Sequence, residues 1–229
     1  MSSIPTLARN ENPPLSRKER KRAKIRDSLV GAATQLLSSR SPDSVNVDEI
    51  VELADVSKGT FYNYFTDKGA IIREVKETAR SQLEKLVVEY NAGVEDAAER
   101  VARGFAAALR FVLSAPNETR TLLLMDPHAT DPDLPMNKGI RRDVRLGMKQ
   151  HRFSKTISEE AGVVLALGIM QAGTSRALDL QSVEPIRELG EALCAALLIG
   201  LGVSRTEAQK IATAVMKDLP EAPEQAVRS

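Results

Sequence analysis

The stretch VDEIVELADVSKGTFYNYFTDKGAII, residues 47–72, decides how this chain folds. Asn46 stands before it as a helix N-cap, and Val47, Ile50, Val51 and Ala54 recur at helical spacing, so the first part reads as a short helix. Asp55-Val56-Ser57 breaks that pattern, and a second short helix follows over Lys58 to Phe65. Such a turn is too short for the two helices to run antiparallel. They must cross steeply and share a small core of Ile50, Ala54, Val56, Phe61 and Phe65. The second helix is left with Lys58, Gly59, Thr60, Tyr62, Asn63 and Tyr64 facing outward. Lysine and hydroxyl groups reach phosphate oxygens and base edges, Asn63 offers a donor and an acceptor to one base, and Gly59 permits close backbone approach. Core demands do not explain two outward tyrosines in a chain that has three. Lys68 opens the next helix, where backbone N–H groups already favour phosphate.

Working outward towards the N-terminus, Ile25, Leu29, Ala32, Ala33, Leu36 and Leu37 make one face of a helix that stops at Ser41-Pro42. Before it, Arg17, Lys18, Arg20, Lys21, Arg22, Lys24 and Arg26 face only Glu19, a local charge of +6 in a chain whose total is +1. The remainder therefore carries −5, so a basic segment sits on a mildly acidic body, as either phosphate binding by one end of the molecule or a solvated basic helix start would produce. Residues 1–16 are polar and include Pro5, Pro13 and Pro14, which predicts a disordered leader.

Towards the C-terminus the pattern stays helical. A stripe of Ile72, Val75, Ala79, Leu83, Leu86 and Tyr90 predicts a helix of about 34 Å from Lys68, long enough to join two domains. Val94, Ala98, Val101, Phe105, Leu109 and Val112 form another stripe ended by Pro116, and a short helix follows to Met125. A proline-rich loop at 126–135 leads to a basic helix from about Met136 to Gln150. Ala161 to Ala172 and Ala192 to Val203 are apolar nearly all round, so both must be covered on every side. Pro185 and Ser204, the latter three residues before Glu207, mark the starts of the last two helices. No strand-like alternation is visible. The expected fold is all-α, with domains at 17–67 and 68–219 and a flexible tail at 220–229.

The run from Val47 to Ile72 resembles the DNA-binding domain of the tetracycline-repressor (TetR) family, over roughly residues 20–72 and most distinctively at Ser57-Lys58-Gly59-Thr60, Tyr62, Tyr64-Phe65 and Lys68. The resemblance implies that Thr60, Tyr62, Tyr64 and Lys68 hold the phosphate backbone, that Lys58, Gly59 and Asn63 face base edges, and that Asn46 touches a phosphate. The basic run, Arg22 within it, would lie along the flanking backbone or minor groove. Three positions depart from the family pattern. Asp55 replaces the usual turn glycine but tolerates a left-handed conformation. Val51 replaces alanine, and Gly69 an acidic residue.

The two apolar helices, about 161–180 and 184–202, are more than one small domain can bury. A four-helix bundle with a symmetry mate would cover them, and the resemblance implies the same contact. Leu165, Ile169, Ala172 and Arg176 on the first, with Leu189, Leu193, Leu197 and Leu201 on the second, are the expected interface. Arg176 would pair with an anionic ligand or with an acid across the dimer. A two-fold protein reads a palindrome in duplex DNA with half-sites about a helical turn, or a multiple of it, apart. The family usually holds a small molecule in the second domain, which implies an apolar effector lined here by Phe105, Leu109, Val112, Leu122, Met125, Met148 and Met170.

The sequence thus predicts a transcriptional regulator, a repressor released by an effector, with a protein-controlled regulator lacking an effector as the alternative. It shows no nucleophile–base pair, phosphate loop or carboxylate dyad, so neither an enzyme nor a cofactor is expected. His128 and His151 have no further ligand at metal spacing, and Cys194 excludes an internal disulfide. With neither a signal peptide nor an apolar run of about 18 residues, the expected setting is the cytoplasm, away from any membrane.

Overall fold

The computed structural model describes residues 16–125, 129–180 and 182–220. Among them are ten α-helices and no strand. The first, α1 (Arg17–Leu37), begins eight residues before the apolar stripe because Ser16 and Glu19 form a reciprocal capping box: Ser16 Oγ accepts from the Glu19 N–H, and the Glu19 carboxylate accepts from the Ser16 N–H. The basic run is therefore helical, and the expected leader and tail fall outside the described residues apart from this cap and Pro220. From Arg17 to Ser28 α1 buries no residue, so its basic start projects beyond the core.

After a single 3-10 turn at Pro42–Ser44 come α2 (Val47–Leu53), capped by Asn46 as the sequence suggests, and α3 (Lys58–Tyr62), capped by Ser57. Asn46 Oδ1 accepts from the Glu49 N–H and Ser57 Oγ from the Thr60 N–H. Asp55 between them adopts φ 53°, the left-handed conformation expected where a glycine is usual. The recognition segment is shorter than the predicted 58–65, since Asn63 already caps α3.

The long α4 (Lys68–Tyr90) starts from Asp67, whose carboxylate accepts from the Ala70 N–H, so Gly69 does not unsettle its first turn. Then follow α5 (Ala97–Ser114), α6 (Pro116–Met125), α7 (Lys138–Lys149), α8 (Glu159–Ala177), α9 (Val183–Gly200) and α10 (Arg205–Lys217). In the loop before α7, a 3-10 turn at Pro135–Asn137 forms around buried Asn137, whose amide donates to Ala129 O and Asp131 O.

Two apolar cores result. The N-terminal one joins Leu29, Ala33 and Leu37 of α1 to Ile50, Phe61 and Phe65, and takes Ile71 and Val75 from the start of α4. The larger one surrounds Phe105 and Leu109 of α5 with Leu197, Leu198 and Leu201 of the α9 region and Met216 of α10. Close approach in this second core depends on glycine: a Cβ at Gly173 of α8 would collide with the Phe105 ring. Gly202, at φ 103°, turns the chain between α9 and α10 beside the Ser154 backbone. Ion pairs tie the start of α5 to this body, the Arg100–Asp143 pair being the most buried of them. Arg100 donates to Asp143 at 2.8 Å and to Val94 O at 3.0 Å, and Arg152 bridges Asp96 and Glu207.

Candidate nucleic-acid interface

Only Phe61 of α3 is buried, set edge-on to Tyr62 at 5.3 Å and tilted against Phe65 at 5.7 Å. The ring anchors the helix and turns the rest of its surface outward. Lys58, Gly59, Tyr62 and Asn63 are exposed, Tyr62 to 52 %, and Thr60 partly so. A Cβ added at Gly59 would find only Ser57 Oγ, at 3.8 Å, so this edge lies open to an approaching backbone. Tyr64 is half-buried, with the Arg22 guanidinium 5.7 Å from its ring centroid. That contact joins the basic start of α1 to the surface of α3. Arg26 makes a second such link, 5.6 Å from the Phe65 centroid and ion-paired with Glu74 of α4.

Two expected phosphate contacts take other parts. Lys68 Nζ donates to Pro42 O and Val45 O at 3.0 Å each and to Asp43 O at 3.4 Å. Its charge is spent on three carbonyls of the turn before α2, and it holds that turn rather than presenting a free ammonium. Asn46 Oδ1 is occupied by its capping bond, so only its amide nitrogen could turn to a phosphate. Lys58 reaches across to α2, where Asp48 receives it at 2.8 and 3.1 Å through both carboxylate oxygens. This hydrogen bond, more than the accompanying charge attraction, pushes the Lys58 ammonium pKa above its ordinary value.

In the body, the expected pocket residues do not form one lining. Phe105, Leu109 and Val112 are closed inside the larger core, and Met148 and Met170 pack against it from the rim. Met125 belongs to the other core, its carbonyl accepting from Lys76 Nζ at 3.4 Å, and Leu122 is half-buried on α6. Two concave surfaces lie elsewhere, one along Arg205, Gln209 and Thr213 of α10 and one beside Tyr64 and Phe65.

The expected interface also divides. Leu165, Ile169, Leu189 and Leu193 are half-buried and Ala172 and Arg176 exposed, but Leu197 and Leu201 are fully enclosed in the protomer's own core. The second half of α9 has no polar side from which to tell inward from outward, and packing against α5 and α10 turns those two leucines in. The outward side carries Ala192, Ala196 and Ile199, beside Val164 and Ala172 of α8. Arg176 pairs at 3.4 Å with Asp179 of its own chain. Burial raises the Cys194 thiol pKa to about 12, and Glu191 adds to the shift. Among the described residues no group of three or more His, Cys, Asp or Glu could hold a metal, and His151 stands exposed in a turn at φ 56°. His128 lies outside the described residues.

Residues 29–75 match the model of the bacterial regulatory proteins of the tetR family. RolR, solved in complex with resorcinol, is 25 % identical and superposes with a TM-score of 0.54 over 90 % of this chain and all of its own. Residues 29–75 thus carry the region that marks the tetR family of bacterial regulatory proteins. Among named relatives, an HTH-type transcriptional regulator of Mycobacterium tuberculosis is 29 % identical over 90 residues, 39 % of this chain and 45 % of its own length. The HTH-type regulator AcrR of Shigella flexneri is 30 % identical over 79 residues, 34 % of this chain and 37 % of its own. The alignments thus span less than half of either relative. No described helix is long and apolar enough to cross a membrane.

The sequence reading missed Asp48 and Arg26. Asp48 reads from sequence as an ordinary acid in the first turn of α2, where it suits the helix dipole. Its contact with a residue ten positions on depends on the crossing of α2 and α3. Arg26 could have been noticed as the last cation of the basic run, but its partners Phe65 and Glu74 come from two distant segments.

Proposed function

We propose that this protein is a DNA-binding transcriptional regulator that works in the cytoplasm as a homodimer on a palindromic operator, represses by occupying it, and leaves it when a small molecule binds. The carrying observation is the surface of α3: a five-residue helix with one buried residue presents lysine, threonine, tyrosine and asparagine outward, beside the exposed cations of α1. Thr60, Tyr62 and Tyr64 are assigned to phosphates, Lys58, Gly59 and Asn63 to base edges, and Arg22 to the flanking backbone. Residues 17–67 form the DNA-binding domain and 68–219 the regulatory and dimerisation domain, although the α4 residues Ile71 and Val75 complete the first core. A rigid α4 then couples the two.

Dimerisation is assigned to the outward side of α8 and α9, through Leu165, Ile169, Ala172, Leu193 and Ile199. This face is apolar and unpartnered in the single chain, and pairing about a two-fold axis buries it. RolR was solved with resorcinol, and by that precedent an apolar effector would enter near Phe105, Leu109 and Met170. The tight filling of that core favours a second reading in which a protein partner, not an effector, sets the spacing of the two heads. Effector entry must displace the flexible Met170 and Met148 side chains.

Footprinting on the DNA upstream of the protein's own gene tests the reading directly. A protected pair of half-sites about one or two helical turns apart supports it, and the absence of any retained duplex at moderate salt refutes it. Thermal-shift screening then separates the two controls: an effector-driven protein is stabilised by a compound that also releases the footprint.

A further inference from the structure

We infer that Asp48 is a positioning residue for sequence reading: it holds Lys58 at the head of α3 and keeps that lysine from acting as a general phosphate clamp. The inference rests on the DNA-binding reading above.

The pair is 54 % exposed at lysine and 71 % exposed at aspartate, and Lys58 meets both carboxylate oxygens. Ion pairs between chains this exposed add little to stability, so fold maintenance does not account for it. What the pair does change is charge at the surface assigned to DNA. The neighbouring α2 acid, Glu49, is neutralised by Arg40 at 2.6 Å and accepts from the Asn46 N–H. Asp48, facing the same side as Lys58, has that lysine as its cation. A bare carboxylate there would repel phosphates, and an unrestrained lysine on a four-carbon stem would reach whichever phosphate was nearest. Joined, they are neutral as a unit and contribute almost nothing to attraction for arbitrary DNA.

A base edge is different. A guanine offers O6 and N7 as acceptors to the lysine, and a neighbouring cytosine offers its N4 amino group to the carboxylate. Both members are then satisfied without a phosphate. Asp48 accordingly lowers affinity for any duplex and spares affinity for the right one, raising the ratio between them.

The test uses the full chain and two probes: the tightest duplex that the wild-type protein selects from a randomised library, and poly(dI-dC). Asp48→Asn, which retains a polar residue in the first turn of α2, is expected to tighten poly(dI-dC) binding and to steepen its log-affinity against log-salt slope by about one. Discrimination between the two probes is expected to fall about tenfold. The coupling is read by repeating the change in a Lys58→Ala background, where Asp48→Asn should no longer steepen the salt slope. Unchanged slope and discrimination in Asp48→Asn, with circular dichroism unaltered, overturn the inference. An equal effect of Asp48→Asn with and without Lys58 overturns it too, because Asp48 would then act merely as a surface charge. A wild-type protein that selects no duplex at all refutes the DNA-binding reading instead.

Discussion

The short α3 and the long α9 are opposites in what their residues disclose. α3 has five residues and one buried side chain, whereas α9 has 18 residues, seven of them buried, and hardly a charged group in its second half. A helix that is polar but for one aromatic anchor can face only one way, so its outward surface is fixed by composition. A helix apolar on all sides has no such marker, and its neighbours decide which leucines meet the core and which meet a partner. The outward surface of α3 was therefore readable residue by residue; on α9 only the need for cover was.

The comparison breaks first at Phe61. If this ring is the sole anchor of α3, Phe61→Ala should cost about 3 to 5 kcal/mol and abolish DNA binding, read by chemical denaturation and gel shift. Retained stability would mean that α3 is held by something else. On α9, Leu197→Ala should cost about 2 to 5 kcal/mol as a core truncation, whereas Ile199→Glu, two positions on and on the opposite side, should leave the protomer folded and halve the mass seen by light scattering. Should Leu197→Ala prove harmless or Ile199→Glu remain dimeric, inward and outward faces have been exchanged.

A smaller effect sharpens the α3 side. Tyr62→Ala should weaken binding to the selected duplex by about 1 to 3 kcal/mol while the melting temperature stays put, since the ring is already half in solvent. The smallest concerns the acid behaviour of the body. Hydrogen bonds from Arg145 and Arg141 bring the Glu159 carboxyl pKa from 4.5 to about 2. A carboxylate whose pKa is depressed by folding stabilises the protein above its ordinary value, and that contribution is lost as pH falls from 4.5 towards 2. Glu159→Gln should remove this part of the acid limb and cost about 1 kcal/mol or less at neutral pH, measured by denaturation at several pH values.

Much of the candidate site was legible because its determinants are local. Capping by Asn46, the left-handed turn at Asp55 and the spacing from Lys58 to Tyr64 all operate within a few residues. The hold of Lys68 on the turn before α2 was not legible, because its three carbonyl partners lie 23 to 26 positions earlier, in a turn whose position relative to α4 no local pattern records. Asp48 escaped notice for a related reason: its partner is brought close only by the angle between two helices.

The helical periodicity, the breaks at Pro42, Asp55 and Pro116, and the concentration of cations at the start of α1 were determined by the sequence alone, since backbone preference and the 3.6-residue period act over neighbouring positions. Tertiary structure decided which apolar residues are core: it enclosed Leu197 and Leu201, left Ile199 outside, filled the space around Phe105, and split Met125 from Met170 between two cores. Burial of an all-round apolar helix depends on the shape of everything packed against it, and that shape exists only once the chain has folded.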